Sequence, residues 1–581
     1  MKILSIHCDY IKFRPLKKAI KNPEEIESKD LVEVKDPLGI FIAVEKSDEG
    51  SSKEIVDALI ENILDLKEKV RAKDIVLYPY AHLSSNLSSP DFAHSVITDA
   101  EKQLKKKKIN THRAPFGYYK EFELKCKGHP LSELSREINL EDKKEKEFIT
   151  LPKEEVYDHK KLLNKMSKVK MSAPKGKDGL KSNVELGRDL DLYIVSEIVG
   201  QGLPLLTPKG TTIKREIERF VVDEELKRGY EFTSTPVMAK SDLYKVSGHW
   251  QHYKDSMFSL NVGNETFALR PMTCPFQFIL FKRKPRSYRD LPKKYAEIAT
   301  LFRNEQSGEL RGMTRLRQFT LADAHIICKP DQLEKEFEKV IDLVNYVMEK
   351  LGVKDVFYRF SKWDPKDKGK YIDNPKAWKE SEKTMQKILD KLKIKYKEAK
   401  GEAAFYGPKL DLQYKDVYQK EDTLITIQID FALPERYDLT YKDKDNKLKR
   451  PMVIHRSSSG ATERMIAYLL EKNQGTLPLW LSPIQTRILS FTDRNVKAAE
   501  KTLQKLKQEG IRADSDFDST TMSEKVRIAE MQKIPYIVTI GDKEEKAGTL
   551  AVREKGKKAL NQQKTNKFIS DLKKKIADRS K

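Results

Sequence analysis

The stretch from Tyr295 to Cys328, YAEIATLFRNEQSGELRGMTRLRQFTLADAHIIC, constrains this chain more than any other. It reads as two strands joined by a glycine-bearing turn. Alternation puts Arg303 and Glu305 on one face of the first strand. On the second strand, Arg315, Arg317, Phe319, Asp323 and His325 share a face. A purely solvated face has no need of the ring and the imidazole, and a core face would not tolerate the charges. Forked guanidiniums beside an aromatic ring suit a nucleoside triphosphate, with phosphate on the cations and base on the ring. An amphipathic hairpin with one charged outer face gives the same alternation, so the pattern alone leaves both readings open.

Composition narrows the class. At 581 residues the chain has room for about three or four domains. Lys plus Arg number 112 against 89 Asp plus Glu. That imbalance suits a polyanionic partner, of which nucleic acid is the commonest. A lysine- and glutamate-rich surface of a heat-adapted protein would give a similar count. The four cysteines, Cys8, Cys126, Cys274 and Cys328, form no CxxC pair, which favours a reducing cytoplasm. MKILSIHCDYIKF reads as a polar-studded strand and not as a signal peptide. No apolar run approaches the ~20 residues needed to span a bilayer, so no membrane association is expected.

Four segments follow along the chain. Residues 1–140 alternate strand-like runs (LSIHCDY, GIFIAVE, DIVLYPY) with a helix whose apolar face is Val56, Leu59, Ile60 and Ile63. THRAPFGYYKEFELKCKGHP then reads as paired strands. Residues 141–185 are a charged, partly helical linker. Residues 186–476 carry the hairpin and the strand TLITIQIDFAL, with Thr426, Gln428 and Asp430 on one face and isoleucines on the other. A mostly antiparallel sheet flanked by helices is expected there. Residues 477–581 read as a βαβαβ unit.

FRNE, a loop and then RLRQF resemble motif 2 of the class II aminoacyl-tRNA synthetases. KGTTIKREIERFVVDEELKRGYEFTSTP (209–236) is similar to their motif 1, and IHRSSSGATERMIAYLLE (454–470) to their motif 3. RPMTCP (270–275), SGHWQHYKDSMF (247–258), AFYGPK (404–409) and ADAHIIC (322–328) resemble the threonyl-tRNA synthetase family within that class. HCDY (7–10), AHLSS (81–85), APFGYYK (114–120) and CKGHPLSELSR (126–136) resemble an archaeal-type editing domain akin to D-aminoacyl-tRNA deacylases. The resemblance implies an α+β multidomain protein. It would have a class II antiparallel-sheet catalytic core, an N-terminal deacylase-like α/β editing domain and a C-terminal α/β anticodon-binding domain. Lys165–Lys168 spell KMSK, a class I synthetase motif, but no HIGH motif accompanies it, and it is read as accidental.

The resemblance also implies roles. Arg303 would hold the α-phosphate of ATP and Arg464 the γ-phosphate. Glu305 would bond the adenine amino group, Phe319 would stack on the ring and Arg315 would reach the phosphates. Lys409 would add charge near the reacting carboxylate, and His249 would sit near the ribose acceptor. Cys274, His325 and His455 match the ligands of one zinc ion per subunit, a thiolate and two imidazoles with an open position. Asp323 and Tyr406 would take the substrate amino group, and Gln428 would line the pocket. His82, Lys120 and Glu133 would assist hydrolysis of mischarged Ser-tRNA, and Arg553 would contact the anticodon. The implied partners are ATP with Mg2+, L-threonine, tRNA(Thr) and a second copy of the chain in a homodimer. The acid and base positions around Arg553 depart from the family in type, and the linker is shorter and richer in lysine.

Overall fold

The structure, a computed structural model, describes residues 1–138 and 158–579 apart from eight single positions: 27, 85, 130, 167, 170, 172, 368 and 558. Residues 141–157 of the expected linker, and Ser85, Pro130 and Ser167 within the quoted motifs, lie outside the described residues. The chain divides into two compact units, Met1–Glu155 and Val156–Lys581.

The first unit is built around one long strand, Lys2–Lys18. Its first half pairs antiparallel with Pro37–Ala43 on one side and Glu133–Glu137 on the other. Its second half pairs with Val32–Lys35 and Tyr118–Cys126. Asp74–Pro79 and Thr111–Arg113 extend the sheet in parallel. Helix Ser52–Val70 buries Val56, Leu59, Ile60 and Ile63, the face that the 3.6-residue periodicity predicts. The expected pairing inside THRAPFGYYKEFELKCKGHP is corrected: Thr111–Arg113 pairs with Asp74–Pro79, and Tyr118–Cys126 with the long first strand. Local alternation identifies strands but not their partners.

The second unit contains an eight-stranded sheet. Its spatial order is Glu231–Phe232, Lys293–Phe302, Gln318–Cys328, Met452–Ala461, Glu421–Asp430, Lys409–Lys415, Val356–Lys362 and Tyr396–Lys400. All neighbours pair antiparallel except the first pair and the last. Alternation sorts the side chains. Ala324, Ile326 and Ile454 join Ile425, Ile427 and Ile429 in the large core under helices Pro208–Lys227, Leu333–Leu351 and Thr462–Lys472. Asp323, His325, His455, Thr426 and Gln428 therefore fall on the opposite face, towards helix Cys274–Lys282.

Arg303 and Glu305 do not lie on the first strand of the hairpin, as alternation predicts. That strand ends at Phe302 and the second begins at Gln318. The loop between them carries Arg303, Glu305, Arg315 and Arg317, and it includes Gly312 at φ +47°. Leaving the ladder frees these side chains from strict up-and-down alternation.

At the C-terminal end, a five-stranded sheet orders Ala513–Asp516, Thr486–Ser490, Tyr536–Ile540, Thr549–Glu554 and Leu560–Lys564. The first three are parallel and the last two antiparallel. Thr486–Ser490, Ala513–Asp516 and Tyr536–Ile540, with helices Val496–Gln508 and Met522–Met531 between them, make the expected βαβαβ unit, and the antiparallel pair Thr549–Glu554 and Leu560–Lys564 goes beyond it.

Candidate active site

Antiparallel register puts His325 directly opposite His455, and His455 opposite Gln428. The two imidazoles meet edge to face at 4.5 Å between centroids. Cys274 opens the helix that covers them. One ligand atom from each of Cys274, His325 and His455 lies within 4.8 Å of the others, and all three residues are buried. His325 Nδ1 is 2.6 Å from Gln277 Oε1, and His455 Nε2 is 2.7 Å from Asp430 Oδ2. The remaining nitrogens, Nε2 of His325 and Nδ1 of His455, are left for a metal. Burial pushes the Cys274 thiol up and the His325 imidazole down, both towards neutrality. A divalent cation is the group that makes a buried thiolate favourable. One thiolate, two imidazoles and a side open to a cavity is a donor set that fits catalytic zinc.

That cavity has a volume of about 330 Å³. It gathers twelve sequence-predicted residues: Cys274, His325 and His455; Asp323, Tyr406 and Gln428; Arg303, Glu305, Arg315, Phe319 and Arg464; and His249. Asp323 accepts a hydrogen bond from Thr273, and burial raises its carboxyl. The Tyr406 hydroxyl donates to Gln428 Oε1, and its ring stacks on His455 at 5.0 Å. Arg303 is open to the cleft yet ringed by protein. Its guanidinium lies 5.1 Å from the Phe319 centroid, and enclosure lowers its pKa. A cation held over a ring and facing a cavity is disposed to take an anion. Arg464 is braced by the carbonyls of Thr314 (2.9 Å) and Thr423 (2.6 Å). Glu305 and Arg315 pair with one another at 2.8 Å.

Some placements differ from the expectation. Lys409 does not line the cavity; its ammonium lies 3.0 Å from the buried Asp411 carboxylate. In the first unit, Lys120 donates to the carbonyls of Pro115 and Tyr118 and sits over the Tyr78 ring at 5.1 Å. Burial lowers it to about 8. His82 lies edge-on to Tyr80 at 5.5 Å. Glu133 accepts from the Cys126 thiol. Lys120 pairs with the long strand at Pro15 and Glu133 pairs with it at Ile6, so these two residues lie at different ends of that strand. Arg553 sits on the strand Thr549–Glu554, opposite Ile537 and 3.9 Å from Glu530.

Sequence reasoning passed over Gln277, Asp430 and Thr273 as site residues. Gln277 follows Cys274 by one helical turn, and Asp430 shares a strand face with Gln428. Those spacings were the available signal.

Three family models match the chain. Residues 1–138 match the archaea-specific editing domain of threonyl-tRNA synthetase. Residues 257–473 match the tRNA synthetase class II core domain (G, H, P, S and T), and residues 481–575 an anticodon binding domain. The antiparallel sheet with its arginine-lined cleft and the core match define a class II aminoacyl-tRNA synthetase fold. Threonine--tRNA ligase of Clostridium botulinum (strain Eklund 17B / Type B) is 53% identical over 375 residues, covering 64% of this chain and 58% of that protein. The crystal structure of the RNA binding domain of threonyl-tRNA synthetase from Cryptosporidium parvum Iowa II superposes with a TM-score of 0.65 at 32% identity, covering 68% of this chain and 98% of that one. The chain belongs to the threonyl-tRNA synthetase family. Threonine--tRNA ligase of Halalkalibacterium halodurans is 44% identical over 387 residues, 66% of this chain and 60% of that protein. The chain thus spans about three fifths of the length of the curated relatives it matches. Among the described residues no helix is long and apolar enough to cross a membrane.

Proposed function

We propose that the chain activates L-threonine with ATP and Mg2+, transfers it to tRNA(Thr), and hydrolyses Ser-tRNA(Thr) in its N-terminal unit. The observation that carries this reading is a single cavity shared by the Cys274–His325–His455 donor set and the Arg303 guanidinium, which makes no ion pair among the described residues. Arg303 and Arg464 stabilise negative charge on the phosphates as the adenylate forms. Phe319 carries the adenine ring on the face not taken by Arg303. Glu305, released in part from Arg315, accepts from the adenine amino group. Lys409 acts on the carboxylate through its electric field, from beyond the cavity lining.

Selection of threonine over valine needs a group that rewards the hydroxyl, because an apolar pocket separates the two poorly. A zinc ion held by Cys274, His325 and His455, one per subunit, would supply a Lewis acid for the amino group and the side-chain hydroxyl. Asp323 and Tyr406 orient the amino group, and Gln428, fixed by the Tyr406 hydroxyl, closes the pocket. His249, a neutral imidazole, accepts the proton of the ribose hydroxyl during transfer. Serine offers the same two donors, so a separate hydrolytic step is required. We assign that step to residues 1–138, with Lys120 beside the Tyr78 ring, His82 beside the Tyr80 ring and Glu133 acting from the far end of the long strand. A two-fold dimer through helix Pro208–Lys227, anticodon contact at Arg553, a charged linker over residues 141–185 and a cytoplasmic location complete the proposal.

Metal analysis combined with ATP–pyrophosphate exchange across the amino acids tests it. The expected result is about one zinc per chain and exchange with threonine and serine but not valine. Cys274→Ala should lose metal and exchange together; retention of both would overturn the metal assignment.

A further inference from the structure

His325 can ligate through Nε2 only if Nδ1 carries its proton, and the tautomer is set by what Nδ1 faces. It faces Gln277 Oε1 at 2.6 Å, and Gln277 is fully buried at 0% exposure. An amide can present either end, so the ligand nitrogen of His325 depends on which way Gln277 is turned. Were the amide reversed, its NH2 would donate to Nδ1, and Nε2 would carry a hydrogen into the ligand triangle.

The next groups decide the direction. Gln277 Nε2 lies 2.9 Å from Thr233 Oγ1. The Thr233 hydroxyl has two acceptors within reach, the Ala296 carbonyl at 3.2 Å and Glu297 Oε2 at 3.3 Å. Neither can donate. The Glu297 carboxylate is buried and paired with the Arg270 guanidinium at 2.8 Å, and Thr235 also donates to it. The Thr233 hydrogen therefore points at Glu297 or Ala296, its lone pair takes the Gln277 NH2, and the amide oxygen is left for His325 Nδ1–H. A fixed charge pair at one end polarises the whole series.

We infer that the buried relay Arg270–Glu297–Thr233–Gln277 selects the tautomer of His325 and commits it to metal ligation through Nε2, making Thr233 and Gln277 positioning residues for the metal. His455 is committed the opposite way. Its Nε2–H donates to Asp430, whose other oxygen accepts from the Ala432 and Leu433 N–H groups at 2.9 Å each, so Nδ1 ligates. The two ring nitrogens in the cluster are unlike, and neighbours outside the ligand set choose both.

This inference rests on the zinc reading, and the test separates the two. Among the described residues Thr233 makes no hydrogen bond to Cys274, His325 or His455, and it reaches His325 through Gln277. Thr233→Val, close in shape but lacking the hydroxyl, should weaken zinc binding about 10–100-fold in competition with a chromophoric chelator. Thr233→Ser, which keeps the hydroxyl, should restore affinity to within about threefold of the parent by the same reasoning. Unchanged affinity in Thr233→Val, or an equal loss in Thr233→Ser, overturns the relay. Cys274→Ala is the control: zinc retained there overturns the metal site itself. If Thr233→Val does not fold, a crystal structure of the zinc-loaded parent chain decides. Metal on His325 Nε2 and His455 Nδ1 supports the relay, and metal on His325 Nδ1 overturns it.

Discussion

Burial pulls the His249 imidazole down to about 3, with His455 as the next contributor, and its Nδ1 lies 2.7 Å from the Ser247 hydroxyl. Such a residue is neutral throughout the physiological range, and one ring nitrogen is available as an acceptor. His249→Ala should slow aminoacyl transfer about 10²–10⁴-fold in single-turnover reactions while leaving ATP–pyrophosphate exchange near the parent rate. Equal losses in both steps would reduce His249 to a structural part of the cleft. Lys120 behaves differently. Its pKa of about 8, lowered by burial, means the ammonium loses its proton as pH rises through that value. Where the charge does the work, Ser-tRNA hydrolysis corrected for the uncatalysed reaction falls as pH passes 8. Lys120→Arg, protonated throughout, should hold its rate flat across pH 7–9. A parent profile that rises past pH 8 would assign the work to neutral lysine or to backbone groups. Neither behaviour is visible in HWQH or GYYK, because burial is a property of what folds around a residue and not of the residue.

At the scale of elements, the strand Met452–Ala461 does two jobs because it is broken. Its register with the His325 strand slips between Leu321 and Asp323, and Gly460 stands there at φ +71° with its N–H on Ser457 Oγ. A Cβ at Gly460 would stand 2.1 Å from the Leu424 carbonyl oxygen. The slip lets one strand present His455 to the cavity and then enter the helix that carries Arg464. Gly460→Ala should cost at least ~1–3 kcal/mol from backbone strain alone, lower the thermal midpoint, and depress ATP–pyrophosphate exchange more than zinc content. Arg456 shows the other face of the same strand. It is fully buried, paired with Glu225 of helix Pro208–Lys227 at 2.6 Å, and it lies over the Tyr230 ring. The alternation of IHRSSSG puts His455 and Arg456 on opposite faces, but Glu225 is 231 residues away in sequence. Strand alternation was readable at Asp323, His325, Thr426 and Gln428. It failed at Arg303 and Arg315, where a loop replaces the ladder and local spacing no longer sets direction.

For the whole molecule, Val156–Lys581 forms a compact unit by itself. A cut at residue 186 would remove the Ser182 cap of helix Asn183–Asp189 and the Asn183–Glu471 hydrogen bonds. A chain starting at Val156 keeps both. It should charge tRNA with threonine near the parent rate and accumulate Ser-tRNA that the full chain removes. Equal Ser-tRNA levels from the two would sink the editing assignment and leave the ligase assignment standing. Helix Pro208–Lys227 turns Ile213, Ile217 and Phe220 inwards and leaves Leu226 53% exposed. Light scattering is expected to give twice the 67.3 kDa chain mass at micromolar concentration. A single-chain mass would count against the two-fold interface.

Sequence by itself determined the kinds of group this protein brings to bear: arginines, one ring and a carboxylate in the RNE…RLRQF stretch, one cysteine in MTCP, and histidines in ADAH and IHRS. Helix periodicity and strand alternation sorted most of them onto faces, because those patterns are local. Tertiary structure alone decided that Cys274, His325 and His455 meet within 4.8 Å, that Lys409 stands outside the cavity, and that Lys120 and Glu133 lie at different ends of one strand. It also decided which nitrogen of each histidine is free. The physical reason is the same each time. Register between strands far apart in sequence sets distances, and burial by distant residues sets protonation, so neither can be read from neighbours along the chain.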